Sequence, residues 1–496
     1  MKHFVRSFRL SPIGGFRLKI KFVAKVLSFL LLCAMLISLV ACKSSNSPEE
    51  SSTSSENTTE SSEEQKSAQE WIATLDDTEE YNDRTFVIAT TNPDLFSGEG
   101  DSLIDKAVIK RNRLVEAKYS VNVQVKLVED AETLAQGLKN AEESGVPYAD
   151  LVCTNADVLA TLVSSGYLKN LYSIPHLDLN AGYVGTKLVE AQTVNNSLYM
   201  LSSGMTMNTS DLWAVYYDKQ LLAEAGFDPV QMVEDGTWTW DAMLQIIRTV
   251  CADTLKKDSP DVSRDTFGIA SYYSYSDLTD VVWASGGNRF FGDSYNKEPV
   301  LSVNDSTVTT VAATVSKLEN NGVLFKNTGT KALETFTEGR VAFFVYKMDM
   351  VYKLDKANRE WGLLPLPKMT KEQENYCSFL DGSAYAIAVP SSIEDSDFTG
   401  AMLNCLFAAS ADEIDEALQS AFINYYFWNN DSTKMLALIK KTAFCDPAYF
   451  YNQVSEVADV CTKALDAAVN ESTDFSDELS TKEKSAFEQF SKSFFK

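Results

Sequence analysis

With 496 residues, 45% of them hydrophobic, the chain can bury cores for two or three domains of ordinary size. Its 69 Asp and Glu outweigh 44 Lys and Arg, and the net charge of −25 argues against nucleic acid or an anionic lipid surface as partner. The only histidines are His3 and His176, which sets aside a histidine-rich metal site and histidine-based nucleophilic catalysis; no cofactor is expected.

The N-terminus carries seven basic residues up to Lys25 and no acid, then an apolar run from Val26 to Val40. A basic leader, an apolar stretch and small residues before a cut describe a secretory signal. The run is short of the ~20 residues that span a bilayer. Leu39-Val40-Ala41-Cys42 resembles a bacterial lipobox. In that family the cut precedes the Cys, here Cys42, whose thiol is diacylated. The resemblance implies a signal peptide over 1–41 and a mature chain on the extracytoplasmic face of the cell membrane, touching the membrane through its lipid anchor only. Loss of the seven leader cations leaves 37 Lys and Arg against 69 acids, a mature charge of −32. Residues 42–80 are rich in Ser, Thr, Glu and Asn, with almost nothing apolar before Trp71; they cannot bury enough to order themselves and read as a flexible tether.

The fold begins at the short apolar strand Thr85–Thr90. A helical pattern follows from Leu103 through Val115, then the alternating strand Val121–Leu127, a helix over 131–143, a strand at Ala149–Thr154 and a helix over 157–165. Strand and helix alternating at this spacing predict an α/β unit with largely parallel pairing. Further strands are predicted at 212–218, 267–270, 341–345 and 385–389, and helices at 219–225, 239–255 (Thr239 as cap), 280–285, 308–320 and onward from Phe398. Cys153, Cys251, Cys377, Cys405, Cys445 and Cys461 are too scattered for a disulfide scaffold and read as small buried apolar residues, with Cys445–Cys461 the one candidate bridge. Gly182–Lys187 lacks Walker spacing, and no Asp-x-Asp-x-Asp-Gly calcium loop occurs.

Several segments carry a family pattern in order: Asp150-Leu151-Val152 leading to Gly166-Tyr167-Leu168-Lys169-Asn170-Leu171; Val215-Tyr216-Tyr217-Asp218-Lys219 with Gly226, where Asp218 stands in place of the usual Asn; Thr239-Trp240-Asp241; Trp283-Ala284-Ser285-Gly286-Gly287; Phe336-Thr337-Glu338-Gly339-Arg340; and Gly362-Leu363-Leu364-Pro365-Leu366-Pro367. Together, over about 84–470, they resemble the extracellular solute-binding proteins of bacterial ABC importers, of the carbohydrate-binding, family 1-like kind. The resemblance implies an α/β, two-lobed periplasmic-binding-protein-like fold whose hinge strands cross between lobes. The first lobe would be 84–207 plus 322–365, the second 208–321 plus 366–496. It further implies a monomeric receptor, not an enzyme, that takes a mono- or oligosaccharide between the lobes and hands it to the transmembrane subunits of a permease. A binder of peptides or other polar solutes, a non-transport sensor and a surface glycosidase are the other readings.

A buried sugar needs flat aromatic faces for its C–H surfaces and carboxylates or amides for its hydroxyls. The family places such groups on loops after particular strands. On this chain those loops offer Trp213, Tyr273 and Trp283 as stacking faces, and Asn92, Asn155, Asp157, Asp211, Asp349 and Asp381 as hydroxyl partners.

Overall fold

A computed structural model describes residues 66–75, 80–272, 276–320, 324–354, 359–411, 413–426, 430–471 and 475–495. The signal, Cys42, the tether to residue 65 and Tyr273 lie outside the described residues. The strands are β1 (Arg84–Thr90), β2 (Val121–Leu127), β3 (Leu151–Asn155), β4 (Trp213–Asp218), β5 (Phe267–Ser271), β6 (Val341–Lys347), β7 (Trp361–Leu364), β8 (Ser378–Leu380), β9 (Tyr385–Ala388) and β10 (Ala443–Cys445).

The first sheet has the order β2-β1-β3-β9, with β1 parallel to β2 and β3, and β9 antiparallel to β3. Its parallel part arises from local signals. Ser102 opens the helix Leu103–Tyr119 with a reciprocal pair of bonds to Asp105 (3.0 and 2.9 Å), and Asp130 caps Ala131–Ser144 through Thr133 N (2.8 Å). Each helix returns the chain to the sheet in the same direction, which is the strand–helix–strand unit. One sheet face packs Phe86, Ile88 and Leu151 against Phe398, Met402 and Leu406 of the helix Ser396–Ser410.

The second sheet has the order β5-β6-β4-β7, with β5 parallel to β6, and β4 antiparallel to both neighbours. Every residue of β4 and β6 is buried, as expected of central strands covered on both faces. The two helix-covered sheets are the two lobes. β8 and β10 form a separate parallel pair.

The lobe boundaries differ from expectation. β6 and β7, expected in the first lobe, pair with β4 in the second sheet, while β9, expected in the second lobe, closes the first. The reason is register: apolar strands state that they are buried, but their partner is chosen by hydrogen bonds across more than a hundred residues. Within the described residues the chain crosses between sheets from Leu201, bridged to Ile387, to Trp213, and again between β7 and β9.

The family-like motifs prove to be joints. Trp238 Nε1 donates to Pro365 O (3.0 Å), and Lys368 exchanges backbone bonds with Trp238 and Trp240 (both 3.1 Å). Asp218 is almost wholly buried, caps the following helix through Leu221 N (2.8 Å), and accepts twice from Arg359 (2.8 Å each). The Asp where the family has Asn thus gains a charged, two-pronged partner. Thr239 Oγ1 accepts from Ala242 N (3.2 Å) at the start of Trp240–Val250. Thr239→Ala is expected to cost about 1 kcal/mol in urea unfolding; an unchanged midpoint would mean that the cap contributes nothing.

All six described cysteines are free, so the Cys445–Cys461 bridge is not formed. Both are buried, and burial pushes the Cys445 thiol well up and that of Cys461 likewise, as fits small apolar core residues.

Candidate solute-binding site

Three segments that link or border the sheets converge. The turn Asn208–Asp211 delivers Trp213 as the first residue of β4. Lys347 ends β6 directly opposite Trp213, and Asp349 follows it. Asp381 and Ser383 lie between β8 and β9. From the first lobe, Asn155 ends β3 and Asp157 sits in the first turn of Ala156–Val163.

Asp381 joins them. One of its oxygens accepts from Trp213 Nε1 (2.6 Å), the other from Lys347 Nζ (2.8 Å) and Ser383 N (2.9 Å). Lys347 also donates to Ser383 Oγ, and Asn155 Nδ2 to Ser383 O. The carbonyls of Gly382 and Ala384 accept from Asp157 N and Ala156 N (both 2.9 Å), so the loop after β8 caps a first-lobe helix. Gly382 is required there, because a Cβ would stand 2.2 Å from Asp157 Oδ1 and 2.6 Å from Tyr449 O. Tyr385 links outward, lying beside Asp211 and beside Thr91 and Asn92.

Six of the expected residues are therefore gathered around one ammonium group, namely Asn155, Asp157, Asp211, Trp213, Asp349 and Asp381, with Asn92 adjoining through Tyr385. Trp213 is only 3% exposed and presents its N–H to Asp381 rather than an open ring face. Trp283 stands apart: it is a core residue of the second lobe, stacked on Phe290 at 4.8 Å and 18°. Lys347 and Ser383 are not among the residues that the sequence singles out. A lysine closing the apolar run Val341–Tyr346 was the available signal, since a buried cation in a strand requires an acid beside it.

Electrostatics divides the acids. Burial pushes Asp211 up to about 7, with Asp381 and Asp349 adding to it and Lys347 opposing. Burial pushes Asp157 up to about 6, helped by Asp381. Burial also raises Asp349, one of whose buried oxygens has no hydrogen-bond partner among the described residues. Asp381 is buried too, yet Lys347, Trp213 and Ser383 hold it below the ordinary carboxylate range. Near neutral pH the cluster offers one fixed ion pair and carboxyls able to donate as well as accept.

These shifts fix a pH dependence. Away from the cluster, burial lifts Asp446 to about 6 although Phe290 N (2.6 Å) and Ala448 N (3.0 Å) donate to it. Asp157, Asp211 and Asp446 all keep a proton in the folded state that the unfolded chain has lost, between the ordinary 3.8 and about 6 to 7. Stability should therefore fall as pH rises through that window. Asp381, lowered, acts oppositely and only below its ordinary range. Urea midpoints at pH 5.0, 6.0 and 7.5 should decrease in that order; a flat or rising series would refute these protonation states.

Two helix-covered sheets joined by crossing segments, with polar groups gathered at the crossings, define a two-lobed binding protein. Residues 115–438 match the family described as bacterial extracellular solute-binding protein, and the chain belongs to that family. Three solved structures share the fold. A cyclo/maltodextrin-binding protein complexed with maltotetraose is 17% identical, with TM-score 0.54, covering 84% of this chain and 97% of that one. The GacH receptor of Streptomyces glaucescens GLA.O, solved unliganded and with acarbose, is 14% identical, with TM-score 0.52 and coverages of 83% and 99%. A family 1 solute-binding protein from Alicyclobacillus acidocaldarius is 14% identical, with TM-score 0.52 and coverages of 82% and 98%. No curated protein was found to match. Among the described residues no group of His, Cys, Asp or Glu could hold a metal ion, and no helix is long and apolar enough to cross a membrane.

Proposed function

We propose that this extracellular binding protein captures a mono- or oligosaccharide at the crossover cluster, catalyses no reaction, and delivers the solute to the transmembrane subunits of an ABC permease. One observation carries the reading: acids, amides and a lysine from both lobes meet at the crossings, where closure of one lobe on the other would engage them together. Carboxyls that both donate and accept suit vicinal hydroxyls, which lose affinity when buried unpaired. Ligand-driven closure requires that the solute bind the closed form better than the open one, which groups from two lobes provide. The solved relatives carrying maltotetraose and acarbose support the carbohydrate class. The lipobox-like Leu39–Cys42 supports a chain tethered to the outer face of the membrane by a diacylated Cys42.

A thermal-shift screen of the purified protein against saccharides, with peptides and polyamines as controls, tests the solute class. Solute at ~100 times its Kd adds about 2.7 kcal/mol, worth several degrees. Asp157→Asn and Asp211→Asn, which keep shape but lose an acceptor, should each weaken binding about tenfold, some 1.4 kcal/mol. A shift with peptides or polyamines alone would replace the solute, and consumption of a sugar during the assay would make the protein an enzyme. For the anchor, Cys42→Ala should move the protein from the detergent phase to the aqueous phase; unchanged partitioning would remove the lipid.

A further inference from the structure

A second concave site lies on the first lobe, away from the crossovers. A cavity of about 400 Å³ opens between the short helix Ala68–Ala73, the loop around 176–183 and the helix Ser396–Ser410. Its aromatic walls are Trp71, Tyr119 and Tyr183, and its polar lining includes His176, Asp178 and Asn404. Trp71 meets Tyr183 edge-on, with centroids 5.3 Å apart and planes at 74°. The exposed Gly182 keeps this corner open, since a Cβ there would already touch the Trp71 ring at 3.3 Å.

Asn404 is the informative residue. It is 9% exposed, and its Oδ1 accepts from Tyr183 OH (3.0 Å) and Asp178 N (3.3 Å). Those two bonds fix the amide plane, and Nδ2 donates to no described residue although the side chain lines the cavity. An amide donor without a protein partner that lines an open cavity bonds water there, and a ligand hydroxyl can take that bond in the water's place. Asp178 stands beside it, exposed, with one carboxylate oxygen already accepting from Asn180 N (3.0 Å) and the other carrying no bond to a described residue. His176 holds a left-handed backbone (φ 62°) and sets its Nε2 3.2 Å from Asp397 Oδ1, which leaves the ring turned along the cavity edge.

We propose that this cavity is a second saccharide site, taking one sugar unit or a disaccharide, with an apolar ring face against Trp71 and Tyr183 and hydroxyls shared between Asn404 Nδ2 and the Asp178 carboxylate. A fixed amide donor beside a free carboxylate acceptor is the pairing a hydroxyl or vicinal diol satisfies. Aromatic walls then cover the ring's C–H surface. The volume falls in the lower part of the ~300–1,000 Å³ typical of small-molecule pockets. The second site stands whether or not the crossover solute is a sugar.

The test uses the full chain with 5-fluorotryptophan at its seven Trp positions, read by fluorine NMR. Trp71→Phe and Trp213→Phe assign the two resonances needed. D-glucose, D-galactose, N-acetyl-D-glucosamine and maltose are titrated to about 100 mM. At least one should move the Trp71 resonance saturably. Asp178→Asn, an exposed change that spares the fold, should weaken that response severalfold, and Asn404→Leu should abolish it with the unfolding midpoint checked alongside. No movement of Trp71 with any of the four sugars, or the same curve in both variants, overturns the second site. The Trp213 resonance reports the crossover cluster independently: movement there without movement at Trp71 leaves the proposed function standing and rejects this site, while movement at Trp71 alone establishes this site and leaves the crossover solute to the wider saccharide screen.

Discussion

Replacing Lys347 with Met is expected to lower the unfolding free energy by about 3–5 kcal/mol, because it leaves buried carboxylate charge without a counterion. Lys347 is 6% exposed and donates to Asp381 (2.8 Å), with Asp157, Asp211 and Asp349 close enough to feel its charge. The attraction alone would not justify that figure, since two charges taken out of water cost about as much as their pairing returns. The loss comes from breaking one side only. Without the ammonium, Asp381 must either stay charged in a buried place or take a proton and give up its hold on Trp213 Nε1 (2.6 Å). The double variant Lys347→Met with Asp381→Asn removes both charges and should recover at least half of the loss. Urea unfolding of both variants decides the matter. A single variant within about 1 kcal/mol of wild type would mean that the acids are already protonated and that Lys347 holds nothing in place.

Gly400→Ala should be comparably damaging, against the usual rule for helices. In the interior of a helix this change ordinarily gains about 1 kcal/mol. Here the Cβ would stand 1.7 Å from the carbonyl oxygen of Pro175 and 2.9 Å from Ile174 Cγ2. The obstacle is backbone, held in the loop that the helix Ser396–Ser410 packs against, so no rotamer relieves it. Helix and loop must part, which exposes Phe398 and Met402 from the core beneath the first sheet. Overpacking of this kind costs typically about 1–3 kcal/mol and occasionally more, and a net loss of about 3 kcal/mol is expected. Gly204→Ala, with nothing within 4 Å of the new atom, is the control and should be nearly neutral. A midpoint for Gly400→Ala at or above wild type would show that the loop around Pro175 yields freely.

Asp218 shows how a departure from a family pattern acquires a reason. Along the chain it is an acid where an amide is usual. In the fold it meets Arg359 with two bonds across 141 residues, besides capping its own helix. Trp283 shows the opposite case: its Gly-Gly motif is real as a helix stop, with Gly287 in a left-handed conformation (φ 70°), yet the indole turns inward onto Phe290. A motif marks a place in the chain, and whether its aromatic faces a cleft or a core is settled by what packs over it.

The strands β1 to β6 and β9 in their order, the Thr239 cap and the α/β class were determined by the sequence alone, because periodicity, capping and turn chemistry act within a few residues; the short β7, β8 and β10 carry too few residues for a period to show. The exchange of β6 and β7 for β9 between the lobes was decided by tertiary structure: antiparallel pairing such as Trp213 opposite Lys347 is a bond between distant segments, and equally apolar strands carry no address. The site follows the same division. Its acids could be named one by one from their loops. Their assembly around Lys347 could not, because Trp213 and Asp381 are 168 residues apart and meet only when the crossing segments fold together, burying charges that each require the others.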